Sequence, residues 1–276
     1  MTEPRSWLFV PADSERKIAN ALDSAADAII LDLEDSVAPA SKAQARGILR
    51  ELGGRGGGPQ RWVRINPLGN DRFRDEIHLV LDGKFHGIVL PKAEKGQDVE
   101  DLSERTGNVP IHAIVTETAA SLFGLLSYRK ASPALAAMSW GAEDLSAAIG
   151  ASSKYDDSGE LSFTYRMARS LCLAGAVAAG VQPVDGVFAD FRDEAGLTAE
   201  ARAAAREGFT GKLAIHPDQV APINAAFTPS DAEVKHAAAI VAAFEAEPNA
   251  GVLAVAGRMV DRPHLVQARR IVERQR

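Results

Sequence analysis

Short apolar runs rich in β-branched residues alternate with longer alanine-rich stretches of helical period, from near the start of the chain to about residue 227. A run of four to eight apolar residues suits a buried strand, whereas apolar positions recurring every three to four residues suit a helix with one buried face. On this pattern strands are expected at 6–12, 28–35, 61–67, 87–94, 111–117, 135–141, 183–190 and 212–217. Helices are expected at 14–25, 39–52, 72–82, 98–106, 119–128, 163–179, 198–207 and 217–226. Each strand has a crossover helix, the unit of a parallel sheet. Eight such units predict a closed (β/α)8 TIM barrel. An open doubly wound sheet often carries a glycine fingerprint after its first strand, where this chain has Val10-Pro11-Ala12-Asp13.

The alternation stops near residue 228. Residues 230–245 read as a helix, Pro248-Asn249-Ala250-Gly251 breaks it, and 257–276 holds another turn and a basic helix. The expected organisation is a catalytic barrel over 1–227 and a C-terminal helical extension over 228–276, which packs on the barrel or reaches a neighbouring subunit. The glycine-rich run 53–58 lacks the lysine-serine ending of a P-loop and leads into a strand, so it reads as a flexible turn.

Composition narrows the field without choosing a fold. The 276 residues are 46% hydrophobic and 25% charged, enough to bury a sizeable core. A net charge of -6 with scattered basic residues argues against a nucleic-acid partner. Cys172 is the single cysteine, so no internal disulfide can form, and its apolar helical surroundings make it a core residue. The polar first five residues precede only a short apolar stretch, which suits neither a signal peptide nor a membrane span; a cytoplasmic protein is expected.

In parallel barrels the loops after the strands open on one face, so reacting groups collect at strand carboxyl ends. Seven of the eight expected strands finish in an ionisable group: Asp32, Glu34 and Asp35 on the second, Arg64 on the third, and Lys92 on the fourth. Glu117 follows on the fifth, Glu143 and Asp144 on the sixth, Asp190 on the seventh and His216 on the eighth. Helix capping would account for Asp35, Asp144 or Asp190 singly, and a bond to a loop carbonyl for His216, but neither explains a preference for one end of nearly every strand. Glu117 and Asp144 on neighbouring strands would repel unless a cation lay between them. Two carboxylates completed by water and substrate oxygens is a common way to hold magnesium, whereas zinc would call for histidine or cysteine ligands that do not cluster here.

The motifs Arg5-Ser6-Trp7-Leu8-Phe9-Val10-Pro11, Asp32-Leu33-Glu34-Asp35-Ser36-Val37, Arg64-Ile65-Asn66 and Leu90-Pro91-Lys92 occur in order. They are followed by Glu117-Thr118, Gly141-Ala142-Glu143-Asp144-Leu145, Gly211-Lys212-Leu213-Ala214-Ile215-His216-Pro217 and Met259-Val260-Asp261-Arg262-Pro263. In this series the chain resembles the citrate lyase beta subunit-like proteins and the citramalyl- and malyl-CoA lyases, over almost its whole length. The resemblance implies a magnesium ion, replaceable by manganese, on Glu117 and Asp144. It implies that Arg64 holds the oxo-acid oxygens, with Asp32, Glu34 and Lys92 forming the polar network around that centre and Gly141 and Ala142 lining the substrate site. Asp261 matches the family's acid/base, carried on a carboxyl-terminal lid that covers an adjacent subunit's site, so a homotrimer or a multiple of trimers is expected. Ala12 stands where the family often has glycine, and 152–159 matches no motif.

The activity so implied is cleavage or formation of a 3-hydroxy-3-carboxyacyl thioester such as citramalyl-CoA, malyl-CoA or citryl-CoA, with acetyl-CoA and a 2-oxo acid as products. Three alternatives stand beside it: a citrate lyase beta subunit acting on an acyl-carrier-protein thioester, a class II pyruvate-type aldolase without CoA, and a metabolite-binding barrel without catalysis.

Overall fold

A computed structural model describes residues 3–54 and 56–275. Eight parallel strands close into a barrel in sequence order: β1 (Ser6–Pro11), β2 (Ala28–Asp32), β3 (Gln60–Arg64), β4 (Gly87–Leu90), β5 (Ile111–Ile114), β6 (Leu135–Ser139), β7 (Gln182–Asp185) and β8 (Gly211–Ala214). The ring closes where β8 pairs with β1, Leu8 opposite Ala214. Between and after the strands run α1 (Glu15–Leu22), α2 (Lys42–Leu52), α3 (Phe73–Gly83), α4 (Gly96–Thr106), α5 (Ser121–Gly124), α6 (Ala142–Ile149), α7 (Phe163–Ala179), α8 (Glu194–Glu207) and α9 (Val220–Ala226). The barrel anticipated from the apolar runs is therefore the fold.

Side chains alternate across each strand, and one set fills the barrel: Trp7, Ala28, Ile30, Trp62, Val89, Ile114, Ala137, Val184 and Leu213. Trp7 and Trp62 meet edge to face with centroids 5.0 Å apart. Gly87 makes this possible, since a Cβ there would sit 2.2 Å from the Trp62 ring. His112 also lies inside, edge-on to Trp7 at 4.6 Å and 2.9 Å from the Ser139 hydroxyl. Complete burial drives its pKa down to about 3, so the ring is neutral. Cys172 is fully buried in α7, as expected of a core residue, and burial pushes its thiol up.

Several expected elements differ in extent. Strand seven stops at Asp185 rather than Asp190, and the fourth and fifth strands end at Leu90 and Ile114. The helix expected at 119–128 is one turn of α5 followed by a 3-10 turn over Leu125–Tyr128. Gly124 lies so close to the Glu94 carbonyl that a Cβ would sit 1.9 Å from its oxygen, which fixes this compact segment. Helix α6 had no counterpart in the sequence reading. In the glycine run, Gly53 closes α2 at φ +63° and Gly54 donates to the Gly83 carbonyl at 2.8 Å. Arg55 lies outside the described residues.

The chain divides after Asn224 into two compact units. The second contains α10 (Asp231–Ala246), an antiparallel hairpin of β9 (Val252–Val255) and β10 (Arg258–Asp261), and α11 (Arg262–Glu273). Ser230 and Glu233 form a reciprocal cap at the start of α10. Ala237, Ile240, Phe244, Val255, Val260, Leu265 and Ala268 form its own core. No helix among the described residues is long and apolar enough to cross a membrane.

Candidate active site

The alternation that sends Ala28 and Ile30 into the barrel brings Asp32 to its mouth, and Trp62 does the same for Arg64. Asp32 and Arg64 are direct partners in the β2–β3 register, so carboxylate and guanidinium meet across the ladder. Arg64 Nε and Nη2 donate to Oδ1 and Oδ2 at 2.7 and 2.6 Å, a bidentate fork. Nη1 lies 3.0 Å from Glu34 Oε2, and the Phe9 ring sits 4.7 Å from the guanidinium carbon.

The cluster continues through Lys92. Its Nζ contacts Glu34 Oε1 at 2.6 Å and both Asp35 Oδ2 and Asp144 Oδ1 at 3.2 Å, while its backbone N–H donates to Glu117 Oε2 at 2.6 Å. Lys92 adopts φ +52°, a left-handed conformation that costs free energy in a residue other than glycine and often marks functional sites. Glu117 follows β5 and is only 4% exposed. Room for it comes from Gly141, where a Cβ would sit 2.7 Å from Glu117 Cγ. Gly141 in turn donates its N–H to Thr116 Oγ1 at 3.2 Å. Ala142 and Asp144 lie in the first turn of α6, where free backbone N–H groups favour negative charge.

Charge balance separates the carboxylates. Burial alone would raise Asp32, but the Arg64 hydrogen bonds and charge outweigh it and hold the group below its ordinary value. Glu34 is pushed up by burial despite Arg64 and Lys92. Glu117 is pushed up to about 8, first by burial and then by the negative charge of Asp144, against the Lys92 backbone hydrogen bond and Arg64. Arg64 and Lys92 both gain basicity, since their carboxylate partners outweigh the burial that opposes it. The mouth therefore sets five carboxylates, Asp32, Glu34, Asp35, Glu117 and Asp144, against two cations, Arg64 and Lys92. A divalent cation fits that deficit. Among the described residues no group of three or more His, Cys, Asp or Glu side chains is placed to hold a metal, so an ion on Glu117 and Asp144 would keep water or substrate oxygens, as magnesium does.

The structure thus brings together Asp32, Glu34, Arg64, Lys92, Glu117, Gly141, Ala142 and Asp144. Asp261 lies in the second unit as the N-cap of α11. Two strand-end candidates do local work instead. Asp190 accepts the Arg192 N–H at 3.1 Å in the loop after β7, and His216 caps the 3-10 turn Pro217–Gln219 and stacks on Phe191 at 4.5 Å. The ionisable residue that closes β7 is Asp185, which sequence reasoning missed. It is 1% exposed and accepts Trp140 Nε1 at 2.8 Å, Arg169 Nε at 2.8 Å and Lys212 Nζ at 2.9 Å. Phe9 was also missed, although its spacing from Trp7 on β1 places both on the inward face.

Fold and cluster define a barrel enzyme type with its chemistry at the carboxyl ends of the strands. The chain belongs to the HpcH/HpaI aldolase/citrate lyase family, whose model matches residues 5–217, and a model described as a C-C bond lyase of the TIM-barrel fold matches residues 161–276. It is 36% identical over 273 residues to a (3S)-malyl-CoA thioesterase of Cereibacter sphaeroides, covering 96% of this chain and 92% of that one. It is 35% identical over 297 residues to the L-malyl-CoA/beta-methylmalyl-CoA lyase of Rhodobacter capsulatus, with coverage of 97% and 93%. The crystal structure of CitE from Mycobacterium tuberculosis in complex with magnesium, acetoacetate and coenzyme A is similar at a TM-score of 0.83 and 35% identity, covering 98% and 97% of the two chains.

Proposed function

We propose that this chain is a magnesium-dependent carbon–carbon lyase that cleaves or forms a 3-hydroxy-3-carboxyacyl-CoA, with acetyl-CoA and a 2-oxo acid as the other side of the reaction. The observation that carries this reading is the single cluster in which Glu117 and Asp144 flank Lys92 while Arg64, locked on Asp32, stands beside them. Glu117 and Asp144 would hold the magnesium ion, which as a Lewis acid lowers the cost of an alkoxide beside a carboxylate. Arg64, whose Nε and Nη2 grip Asp32 and whose Nη1 faces Glu34, keeps further N–H donors on Nη1 and Nη2 for substrate oxygens, in a fixed plane that lysine cannot match. Asp32 and Glu34 fix its orientation, and Lys92 balances the carboxylates around the centre. Gly141 and Ala142 let substrate approach the backbone there, since neither carries a long side chain. Asp261, on the second unit acting as a lid, exchanges a proton with the enolate carbon in an adjacent subunit's site. An exposed apolar stripe on α7 (Phe163, Met167 and Leu171) supports self-association, and a trimer is the assembly we favour.

A second reading, thioester hydrolysis, is favoured by the relatives named malyl-CoA thioesterase. Turnover with magnesium across malyl-, citramalyl- and citryl-CoA separates the two. The lyase reading expects a 2-oxo acid and acetyl-CoA, lost on Glu117→Ala or Asp144→Ala. Free hydroxy acid and CoA as sole products would make the protein a hydrolase, and no turnover of any thioester would leave a binding barrel.

A further inference from the structure

At the tip of the hairpin-to-helix turn in the second unit, Asp261 and His264 are joined by three contacts. Asp261 Oδ1 lies 2.5 Å from His264 Nδ1 and accepts the His264 backbone N–H at 3.3 Å, while the Asp261 N–H reaches Nδ1 at 3.2 Å. This is a reciprocal helix cap, but such caps are ordinarily closed by Glu or Gln at the third helical position. Here the closing group is an imidazole. Two bare lone pairs 2.5 Å apart would repel, so a proton lies between Oδ1 and Nδ1; when Nδ1 carries it, that nitrogen cannot also accept the Asp261 N–H, and the 3.2 Å approach is a contact rather than a hydrogen bond. Every hydrogen bond recorded for this carboxylate falls on Oδ1, so Oδ2 has no partner among the described residues.

We propose that His264 is a positioning residue for Asp261: it fixes Oδ1 against the start of α11 and leaves Oδ2 as the oxygen that exchanges a proton with the substrate carbon. The inference rests on the lyase reading, in which Asp261 is the acid/base. Among the described residues, only His264 hydrogen-bonds the Asp261 carboxylate. Arg262, the next residue, turns its guanidinium to the Pro248 carbonyl and over the Phe244 ring at 5.3 Å. Strand β9, which pairs Val252 with Asp261, carries no ionisable residue, and α10 contributes the apolar Ala237, Ile240 and Phe244 to the shared core. His264 is accordingly the first cause of the lowered pKa of Asp261. Both side chains are partly exposed, His264 46% and Asp261 36%, so the pair is open to another molecule.

His264→Gln tests this, because glutamine can close the same cap without an imidazole. The carboxyl carbon of Asp261, followed by NMR, is expected to titrate closer to the ordinary value of 3.8 in the variant than in the parent. In magnesium and thioester assays kcat is expected to fall about tenfold with KM within about twofold, a fraction of what a positioned proton donor contributes. Thermal unfolding reports whether the variant folds, and His264→Glu, which also closes a cap, replaces it if it does not. An unmoved Asp261 titration together with an unchanged kcat would overturn the inference. Asp261→Asn separates this from the reading beneath it: loss of turnover there with an unaffected His264→Gln sinks the inference alone, whereas full turnover in Asp261→Asn removes the acid/base role and the inference with it.

Discussion

Two buried polar networks in the barrel unit use the same residue types to opposite ends. Around Asp185, the outward side of β7 and β8 meets α7 and α8: Lys212, fully buried, bonds Asp185, Glu200 and the Gly186 carbonyl, and Arg169 bonds Asp185 and Glu207. Burial alone would raise Asp185, yet Lys212 and Arg169 hold it down at about 2. That network is satisfied. At the barrel mouth burial drives Glu117 to about 8 and Glu34 upward, and Arg64 and Lys92, shared among several carboxylates, do not offset it. A network complete in itself needs no further ion, whereas one short of positive charge leaves room for the cation proposed above.

Removing a partner should therefore damage different properties in the two places. Asp185→Asn leaves Lys212 buried with less compensation and is expected to destabilise the fold by about 3 kcal/mol in urea unfolding, with turnover per folded chain nearly unchanged. Stability equal to the parent's would show that network to be dispensable. Arg64→Lys is expected to reverse the pattern. It loses the bidentate grip and lowers kcat/KM about a hundredfold, with unfolding shifted by no more than about 1–2 kcal/mol.

A smaller effect comes from His112. Its folded pKa, near 3, lies below its ordinary 6.5, so the unfolded chain binds the extra proton first; stability is fully present above about 6.5 and is lost as pH falls toward 3. His112→Gln should flatten the parent's decline between pH 6.5 and 4.5, read as the difference between the two denaturation series. A parallel decline in both would assign the acid sensitivity elsewhere.

Much of this was legible in the chain. Apolar runs interleaved with helical ones led directly to eight strands, and the expected ends overshot for a physical reason. Ladder-like hydrogen bonds continue past them, from Leu33 N–H to the Arg64 carbonyl and from Val115 N–H to the Ser139 carbonyl, so the chain stays extended into the loops. The mouth cluster was legible because an end-of-strand position has a meaning in a parallel barrel. Asp185 was not: its partners Arg169 and Lys212 are remote in sequence, and the apolar run through Val187 and Phe188 masks the break after it. The β9–β10 hairpin was missed because each strand has only four residues, although Ala256 and Gly257, both at positive φ, form a two-residue turn that Gly257 could have signalled.

The property that would set the mouth apart from the Asp185 network is uptake of a cation at the expense of a proton. Magnesium titrated into the protein at pH 7 in calorimetric buffers of differing ionisation enthalpy measures this directly. Because Glu117 is held near 8, binding is expected to release about one proton per chain and to tighten as pH rises toward 8, with both effects gone in Glu117→Gln. Equal magnesium affinity in the parent and the variant, with no proton released by either, would contradict the account.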